Sequence, residues 1–491
     1  MIYKINRNKP IIPVDLKNIL TISGHKLILS LNSSHLCIWS KDDKDILISE
    51  NLYSFKGMET HQDDEHLNNV IKMHHGVVPT VRSGIKEITY LHPGFSFNLN
   101  NNEINNEMEH LKSDIWTEDN LNQKKIFFNT LQNEINSVES DGILFSSGID
   151  SVLIASLDQN NKPLYIWDSE PLQTEFAIHI AKKLKKKLHV VPYIKNNTQT
   201  SNNLRECFLG HSLNWNNGIN SVTEFKGMRL LSGQNADTLL AVDTFAPGFN
   251  MIGARRQFNI LKTIHKRIPY TISFQKFMSN RHNSRKRFLA GNLNQIFSSN
   301  NEHEETKFFG NQETQLPGIK NNYGFDISKA SNENILFTFK LAKYSRFIVN
   351  VNRLYKEVEK INSIKRILPY SSESILKLLL NYVPSNKNIF FPKFMSYSFI
   401  EENELDYFYE KFNVLKHKLN LKHYLSRAQI KRSFIRHNES IAEILEECQK
   451  LNINLNEITK ELEISNIKEK TNLMMIDRYL NVMRFKRSYF S

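Results

Sequence analysis

The part of the sequence that most constrains the fold joins a short apolar strand to a helix through a loop of small residues. Gly142-Ile-Leu-Phe predicts a buried strand, residues 146–150 form the loop, and Ser151-Val-Leu-Ile-Ala-Ser-Leu begins a helix. Glycine lets a backbone approach an anion closely, and the amide groups at a helix N-terminus attract phosphate. The loop therefore predicts a phosphate site, although it lacks the GxxxxGK[ST] pattern of a Walker A loop.

Strands and helices continue to alternate after this loop. Leu164-Tyr-Ile-Trp predicts a second strand, and residues 172–187 predict an amphipathic helix because their apolar side chains recur at helical spacing. Leu188-His-Val-Val-Pro and Met228-Arg-Leu-Leu-Ser-Gly predict two more strands, the second of which again ends in a loop of small residues. Such alternation favours an α/β fold with a parallel sheet.

The N-terminal region has a different pattern and is predicted to be β-rich. Lys26-Leu-Ile-Leu-Ser-Leu, Ser34-His-Leu-Cys-Ile-Trp and Asp45-Ile-Leu-Ile-Ser are short apolar runs separated by polar turns, which favour hairpins. Cys37 lies within one of these strands and is expected to be a buried packing residue.

The remainder of the chain is predicted to be mostly helical. We place a domain boundary between residues 1–115, the β-rich part, and residues 116–491, which contain the alternating segment and the helices. Residues 291–331, rich in Asn, Gly and Glu, are expected to form a loop or lid. The expected helices are 121–137, 334–361, 371–382, 439–450 and 466–486.

Composition excludes several classes of protein. With 40% hydrophobic residues in 491, the chain is not expected to be disordered as a whole. Its three cysteines lie far apart, which excludes a disulfide framework and a cysteine zinc finger. We expect a cytoplasmic protein, because the sequence shows neither a secretory signal nor an apolar stretch of spanning length. The net charge of +13 suits an acidic partner, and an ordinary basic composition explains it equally well.

Several motifs resemble those of one enzyme family. Phe145-Ser-Ser-Gly-Ile-Asp-Ser resembles the SGGxDS loop of the N-type ATP pyrophosphatases, specifically that of asparagine synthetases, and Leu231-Ser-Gly-Gln-Asn-Ala-Asp-Thr resembles their SGEGADE loop. Three more stretches resemble family segments in the same order. They are Gly84-Ile-Lys-Glu-Ile-Thr-Tyr-Leu-His-Pro-Gly-Phe, Glu175-Phe-Ala-Ile-His-Ile-Ala-Lys-Lys-Leu followed by His189, and Pro369-Tyr-Ser-Ser-Glu-Ser-Ile-Leu.

This resemblance implies an architecture and a set of site residues. Residues 1–115 would form a β-rich, degenerate amidotransferase-like domain, and residues 116–491 a PP-loop synthetase domain whose parallel sheet is flanked by helices. ATP and Mg²⁺ would bind at the carboxyl ends of the strands. The implied ATP-binding residues are Leu144, Ser146, Ser147, Gly148, Asp150, Ser151, Trp167 and Gly233, the metal ligands are Asp150 and Asp237, and the catalytic residues are Gln234 and Lys431.

Departures from the family pattern suggest the subtype. Met1-Ile2 supplies no N-terminal cysteine of the kind that the family's glutaminase half uses, and Gln234 replaces a glutamate. Lasso-peptide cyclases and β-lactam synthetases lack that cysteine and use an amine of the substrate, and Asp477-Arg-Tyr-Leu-Asn-Val-Met-Arg-Phe-Lys resembles the C-terminal helix of lasso cyclases. The implied activity is adenylation of a peptide or small carboxylic acid, followed by attack of an amine.

Three alternatives remain open from the sequence. One is an asparagine synthetase-like amidation with free ammonia or ammonia delivered by a partner protein. Another is an RNA-modifying PP-loop ATPase, which the basic charge favours slightly and the family-like loops disfavour, so that nucleic acid is not the expected partner. The last is a non-catalytic scaffold, supported by the replacements at Gln234 and Thr238. No membrane association is expected.

Overall fold

The structure is a computed structural model with an α/β fold. It describes residues 1–31, 33–40, 44–72, 82–146, 148–167, 171–191, 225–240, 363–382, 394–402, 441–442, 444–467 and 470–490, together with eight single residues between 337 and 359. Within these ranges, no helix is both long and apolar enough to cross a lipid bilayer.

Two four-stranded antiparallel sheets are built from the N-terminal region. The first sheet has the order β1-β5-β4-β6 and the second has the order β2-β3-β7-β8. Their strands are β1 (Tyr3–Asn6), β2 (Leu20–Ser23), β3 (Lys26–Leu29), β4 (Leu36–Trp39), β5 (Asp45–Ser49), β6 (Ile88–Leu91), β7 (Phe95–Asn98) and β8 (Ile104–Asn106). The predicted β-rich character of this region is confirmed.

One predicted hairpin is wrong, because β3 and β4 belong to different sheets. β3 pairs with β2 and β7, whereas β4 pairs with β5 and β6. Leu36 and Ile38 of β4 lie in the larger apolar core, and Cys37 and Trp39 lie in a second core on the opposite face. A strand that is buried on both faces needs two apolar layers, which a hairpin with β3 alone does not provide.

A parallel sheet of five strands carries the segment with the small-residue loops. Its strands are β9 (Gly142–Leu144), β10 (Leu164–Trp167), β11 (Leu188–Val191), β12 (Arg229–Ser232) and β13 (Lys365–Ile367). The order is β11-β10-β9-β12-β13, and every pairing is parallel. Along the chain, β10 and β11 are added on one side of β9, and β12 and β13 are then added on its other side. The direction in which strands are added therefore reverses between β9 and β12.

Helices flank this sheet and reach the N-terminal sheets. They are α1 (Asp64–Lys72), α2 (Leu121–Ser137), α3 (Ile149–Leu157), α4 (Pro171–Lys183), α5 (Ala236–Leu240), α6 (Glu373–Leu380), α7 (Phe394–Glu402), α8 (Leu455–Glu461) and α9 (Lys470–Phe490). The expected helices at 121–137, 371–382 and 466–486 correspond to α2, α6 and α9, and residues 444–450 are also helical. In the segment 334–361, all eight described residues are helical, and all but Lys356 are buried.

The predicted helix 172–187 ends earlier than expected, at Lys183. Lys185 has a positive φ of 54°, and the amide of Lys186 donates to the carbonyl of Ala181 over 2.9 Å. This is the hydrogen-bond pattern of a Schellman motif, with lysine in the position that glycine usually takes. The sequence did not predict this helix end because no glycine follows the helix.

Of the apolar cores in the described residues, two join the N-terminal sheets to the rest of the chain. The larger is continuous from the N-terminal sheets to the parallel sheet and contains Phe97, Trp116 and Ile143. The smaller brings α1 and the end of α9 against the outer face of the first antiparallel sheet, where Phe485 packs in the same cluster as Trp39. The boundary expected after residue 115 remains a prediction. The expected lid at residues 291–331 lies outside the described residues.

Candidate functional site

The two loops that stand out in the sequence meet at the carboxyl edge of the parallel sheet. β9 and β12 are neighbours, with Leu144 opposite Ser232 at their ends, so the loops that follow them leave the sheet side by side. This is also the place where the winding of the sheet reverses. In open α/β sheets, ligands bind in the crevice at such a switch point.

The first loop is held closed by its own serine hydroxyls. Ser151 Oγ donates to the carbonyl of Gly148 over 2.9 Å and accepts from the amide of Ser146 over 3.2 Å. Ser146 Oγ lies 3.3 Å from Ser151 Oγ and accepts from the amide of Gly148 over 3.4 Å. Ser146 is exposed, so its hydroxyl is accessible to a ligand, whereas Ser151 is buried and shapes the loop.

Helix α3 begins directly after this loop without a side-chain cap. Its N-cap is Gly148, so no side chain of the cap residue accepts a hydrogen bond from the first amides of the helix. Such amides, with the positive end of the helix dipole, attract anions. The first turn therefore offers a donor surface next in the chain to the loop that carries the hydroxyl of Ser146.

Asp150 is the acidic residue of the first turn of α3, and one of its carboxylate oxygens, Oδ1, is buried. Asp237 lies in α5, the helix that follows the second loop, and its side chain is outside what the structure describes. Within the described ranges, no cluster of three or more His, Cys, Asp or Glu side chains could hold a metal alone. A single carboxylate suits Mg²⁺ that is held mainly by phosphates and water.

Gly233 brings the second loop directly onto the first. A β-carbon at this position would lie 3.0 Å from both the carbonyl carbon of Asp150 and the amide nitrogen of Ser151. Real β-carbons are rarely so close to backbone atoms. The absence of a side chain therefore allows the two loops to touch.

The rest of the second loop is anchored to the segment around Pro369. Asn235 is buried, has a positive φ of 77°, and its Nδ2 donates to Ser371 Oγ over 3.0 Å. Asparagine tolerates this left-handed conformation better than most residues. The hydroxyl of Tyr344 also bonds to Ser371, and burial raises the pKa of that phenol above its ordinary value.

Gln234 binds a charged network that the sequence did not reveal. Its Oε1 accepts from Arg366 Nη1 of β13, and Arg366 Nε donates to Glu359 over 2.7 Å. Lys356 Nζ donates to the other oxygen of Glu359 over 3.0 Å. The available signal was an arginine in a short strand three residues before Pro369, but the sequence alone does not pair it with position 234.

An apolar surface adjoins the first loop on its other side. Leu144 and Trp167 end β9 and β10 and pack in one cluster with Phe225. The rings of Trp167 and Phe225 are 5.8 Å apart and nearly perpendicular. Both Leu144 and Trp167 remain partly exposed, so this surface can contact a ring placed beside the loop.

Sequence analysis thus predicted residues that the structure brings to one edge of the parallel sheet. They are Leu144, Ser146, Gly148, Asp150, Ser151, Trp167, Gly233 and Gln234. Ser147 and Lys431 lie outside the described residues, so their predicted roles stay predictions. Cys37 is fully buried, as expected for a packing residue.

Comparison with known proteins adds no assignment. No family model matches the chain, and no curated protein matches it significantly.

Proposed function

We propose that this chain is an ATP-dependent, AMP-forming carbon–nitrogen ligase that adenylates a substrate carboxylate and joins it to an amine. The observation that carries the proposal is the contact between the two loops at the switch point, where Gly233 lies against the peptide between Asp150 and Ser151. This contact brings helix amides, the exposed hydroxyl of Ser146 and one carboxylate to the same edge of the sheet, an arrangement that suits an anion.

The proposed ATP lies across the carboxyl edge of the sheet. Its phosphates would receive hydrogen bonds from Ser146 Oγ and the first amides of α3, and its adenine would lie against Leu144 and Trp167. The order of the strands supports this placement, because the apolar cluster and the serine loop lie at the ends of neighbouring strands. A polyphosphate with an aromatic base needs one apolar surface and one donor surface next to each other.

Magnesium fits the residues of this crevice. Asp150 would hold it through a carboxylate oxygen, and Asp237 is the second proposed ligand. When bound, Mg²⁺ neutralises negative charge on the phosphates and so favours attack on them. The protein's own contribution is to fix the carboxylate at the N-terminus of α3, where the helix dipole stabilises it.

The proposed reaction has two steps. A carboxylate oxygen of the substrate attacks the α-phosphorus, the bond to the bridging oxygen breaks, and pyrophosphate leaves. An amine nitrogen then attacks the acyl carbon, loses a proton, and displaces AMP to form the amide. The crevice must exclude water between the steps, because water would hydrolyse the acyl-adenylate. A cationic residue near the acyl oxygen would stabilise its developing charge, and Lys431 is the proposed candidate.

The proposed acid is a peptide or a small carboxylic acid that carries its own amine, as in lasso-peptide cyclases or β-lactam synthetases. Amidation with ammonia, free or delivered by a partner protein, differs only in the source of the nitrogen. Both reactions use the same first step, so one experiment tests their common basis.

That experiment combines nucleotide binding with product analysis. The purified chain is titrated with Mg·ATP by calorimetry, and then incubated with Mg·ATP and a host extract of small molecules and peptides. We expect binding, and release of AMP and pyrophosphate that depends on the extract. Asp150→Asn should weaken the binding of Mg·ATP and abolish the release, because the substituted amide is a poorer ligand for magnesium.

Asp141→Asn is the matched control. Asp141 lies at the amino end of β9, far from the loops, and its Oδ2 accepts from the amide of Arg229 over 2.7 Å. An amide oxygen can still accept this bond, so the control should retain binding and products. Absence of Mg·ATP binding by the unmodified chain would refute the proposal, and release of ADP instead of AMP would refute the adenylation step. RNA-dependent release of AMP would favour the RNA-modifying alternative.

A further inference from the structure

Four side chains form one hydrogen-bonded network that ends at the second loop. Lys356 and Arg366 both bond to the carboxylate of Glu359, at 3.0 Å and 2.7 Å, and Arg366 donates in turn to Oε1 of Gln234. The side chains of Glu359 and Arg366 are only 7% and 9% exposed. A network so shielded from water holds its geometry more firmly than a surface ion pair.

The chemistry of arginine decides which way the amide of Gln234 faces. A guanidinium group has only donors, so the carboxamide must turn its oxygen toward Arg366. Its Nε2 group then points away from the guanidinium. Among the residues that the structure describes, none accepts a hydrogen bond from Nε2 of Gln234. Within that part of the chain, both donor hydrogens of Nε2 are therefore open to a ligand.

The backbone on both sides of Gln234 is fixed, which limits where these donors can be. Gly233 is in contact with the peptide between Asp150 and Ser151 at the start of α3. Asn235 is buried and bonded to Ser371. Gln234 therefore cannot move away from the first turn of α3 without breaking one of these contacts.

The charges of the network favour binding of an anion nearby, and they favour an amide over a carboxylate at position 234. Lys356 and Arg366 carry two positive charges and Glu359 one negative charge, so the network has a net charge of +1. A glutamate in place of Gln234 would compete with Glu359 for the guanidinium, and would offer a negative charge instead of a donor to an anion beside α3.

We propose that Arg366 and Glu359 are positioning residues, which hold the Gln234 carboxamide so that its Nε2 donates to a phosphate oxygen of bound ATP. The inference rests on the proposed function and assigns a specific role to the residue that departs from the family pattern. Gln234 is then a ligand-binding residue, and Arg366 acts through it.

The test compares adenosine, AMP and ATP with magnesium as ligands of the full chain. Gln234→Glu keeps an acceptor for Arg366 but removes the donor. We expect its affinity for Mg·ATP to fall by at least about tenfold, because a hydrogen bond to a charged group is lost and the new carboxylate repels the phosphates, while its affinity for adenosine stays unchanged. A purely structural defect would weaken adenosine and ATP alike, and would overturn the proposal.

A double-mutant cycle separates positioning from direct contact. Arg366→Lys keeps the charge next to Glu359, but a lysine cannot hold both partners in the fixed geometry of a guanidinium. It should weaken Mg·ATP binding in the unmodified chain and have little further effect in a Gln234→Met background. An equal loss in both backgrounds would show that residue 366 contacts the nucleotide itself, and would overturn its role as a positioning residue.

The outcomes distinguish this inference from the proposed function on which it depends. If the unmodified chain does not bind Mg·ATP, both are refuted. If the unmodified chain and the Gln234→Glu variant bind Mg·ATP equally well, only the inference is refuted. Should Arg366→Lys fail to fold, the comparison of adenosine with Mg·ATP for Gln234→Glu alone still decides the role of the amide.

Discussion

Gly233 and Asp150 are in backbone contact across the two loops: a β-carbon on Gly233 would lie 3.0 Å from the carbonyl carbon of Asp150. The contact joins the end of β12 to the first turn of α3. Any side chain at position 233 must push these loops apart, because both sides of the contact are backbone and neither can rotate away.

Gly233→Ala is therefore expected to lower the affinity for Mg·ATP, because the two loops must move apart by a few tenths of an ångström to admit the β-carbon. Calorimetry with Mg·ATP measures it. Gly57→Ala is the control, since Gly57 has a φ of 87° and open space around its α-carbon. That substitution strains the backbone far from the crevice, so it should reduce stability and leave the nucleotide affinity unchanged. Equal affinity of Gly233→Ala and the unmodified chain would contradict the close contact.

The hydroxyl of Ser151 closes the first loop, and its removal should open the loop. Ser151→Ala loses the 2.9 Å bond to the carbonyl of Gly148 and the 3.2 Å bond from the amide of Ser146. We expect a loss of about 1 kcal/mol in the free energy of unfolding and a weaker affinity for Mg·ATP. Denaturant unfolding and calorimetry measure the two effects.

Ser156→Ala is a matched control on the same helix. Ser156 Oγ donates to the carbonyl of Val152 over 2.8 Å, one turn earlier in α3, and touches neither loop. It should change the free energy of unfolding by a similar or smaller amount without changing the affinity for Mg·ATP. If both serine variants bind the nucleotide equally, the hydroxyl of Ser151 has no role in shaping the site.

Tyr479 on α9 should make stability depend on pH in the alkaline range. Its hydroxyl donates to Glu461 over 2.8 Å, and burial, with this carboxylate, raises the pKa of the phenol to about 12. In the unfolded chain the ordinary pKa is 10.0, so between pH 10 and 12 the unfolded state has lost a proton that the folded state retains. The contribution of the Tyr479 hydroxyl to the free energy of unfolding is therefore fully present below pH 10 and is lost as the pH rises through 12.

Comparison with Tyr479→Phe isolates this contribution. At pH 8, the variant should be less stable by about 1 kcal/mol, because it lacks the hydrogen bond. The difference should shrink steadily between pH 10 and 12 as the phenol of the original chain ionises. Urea unfolding at a series of pH values measures it, and a difference that stays constant up to pH 12 would exclude a raised pKa.

Phe485 joins the C-terminal helix to the N-terminal sheets, and its truncation should destabilise both. Its ring is buried in the cluster that includes Cys37 and Trp39 of β4, and it stacks on Tyr489 with centroids 5.7 Å apart. Phe485→Ala should lower the free energy of unfolding by about 3–5 kcal/mol, the usual effect of emptying a buried aromatic site.

Leu445→Ala provides the control for this truncation, since the side chain of Leu445 is 44% exposed. It should change stability by less than about 0.5 kcal/mol, as most surface substitutions do. Tryptophan fluorescence, to which Trp39 contributes, follows the unfolding of the variants. A Phe485→Ala chain as stable as the Leu445→Ala chain would show that α9 does not support the N-terminal sheets.

Local pattern was sufficient for several elements near the candidate site, but not for β13. Leu164–Trp167 and Leu121–Ser137 occur as predicted, because alternating or periodic apolar residues and clear turn signals define them. The helix end at Lys183 was missed because a lysine adopts the left-handed conformation there. Local pattern also placed β3 and β4 in a hairpin, since turn residues indicate where a strand ends but not which strand it pairs with.

The sequence by itself determined four of the five strands of the parallel sheet, several of the helices and the two small-residue loops, since these depend on residues close together in the chain. Only the tertiary structure decided that Gly233 touches Asp150, that Arg366 orients Gln234, and that α9 returns to cover Cys37. Strand order and the burial of charged partners depend on contacts between distant residues. Such contacts form only when the whole core packs, and no local pattern encodes them.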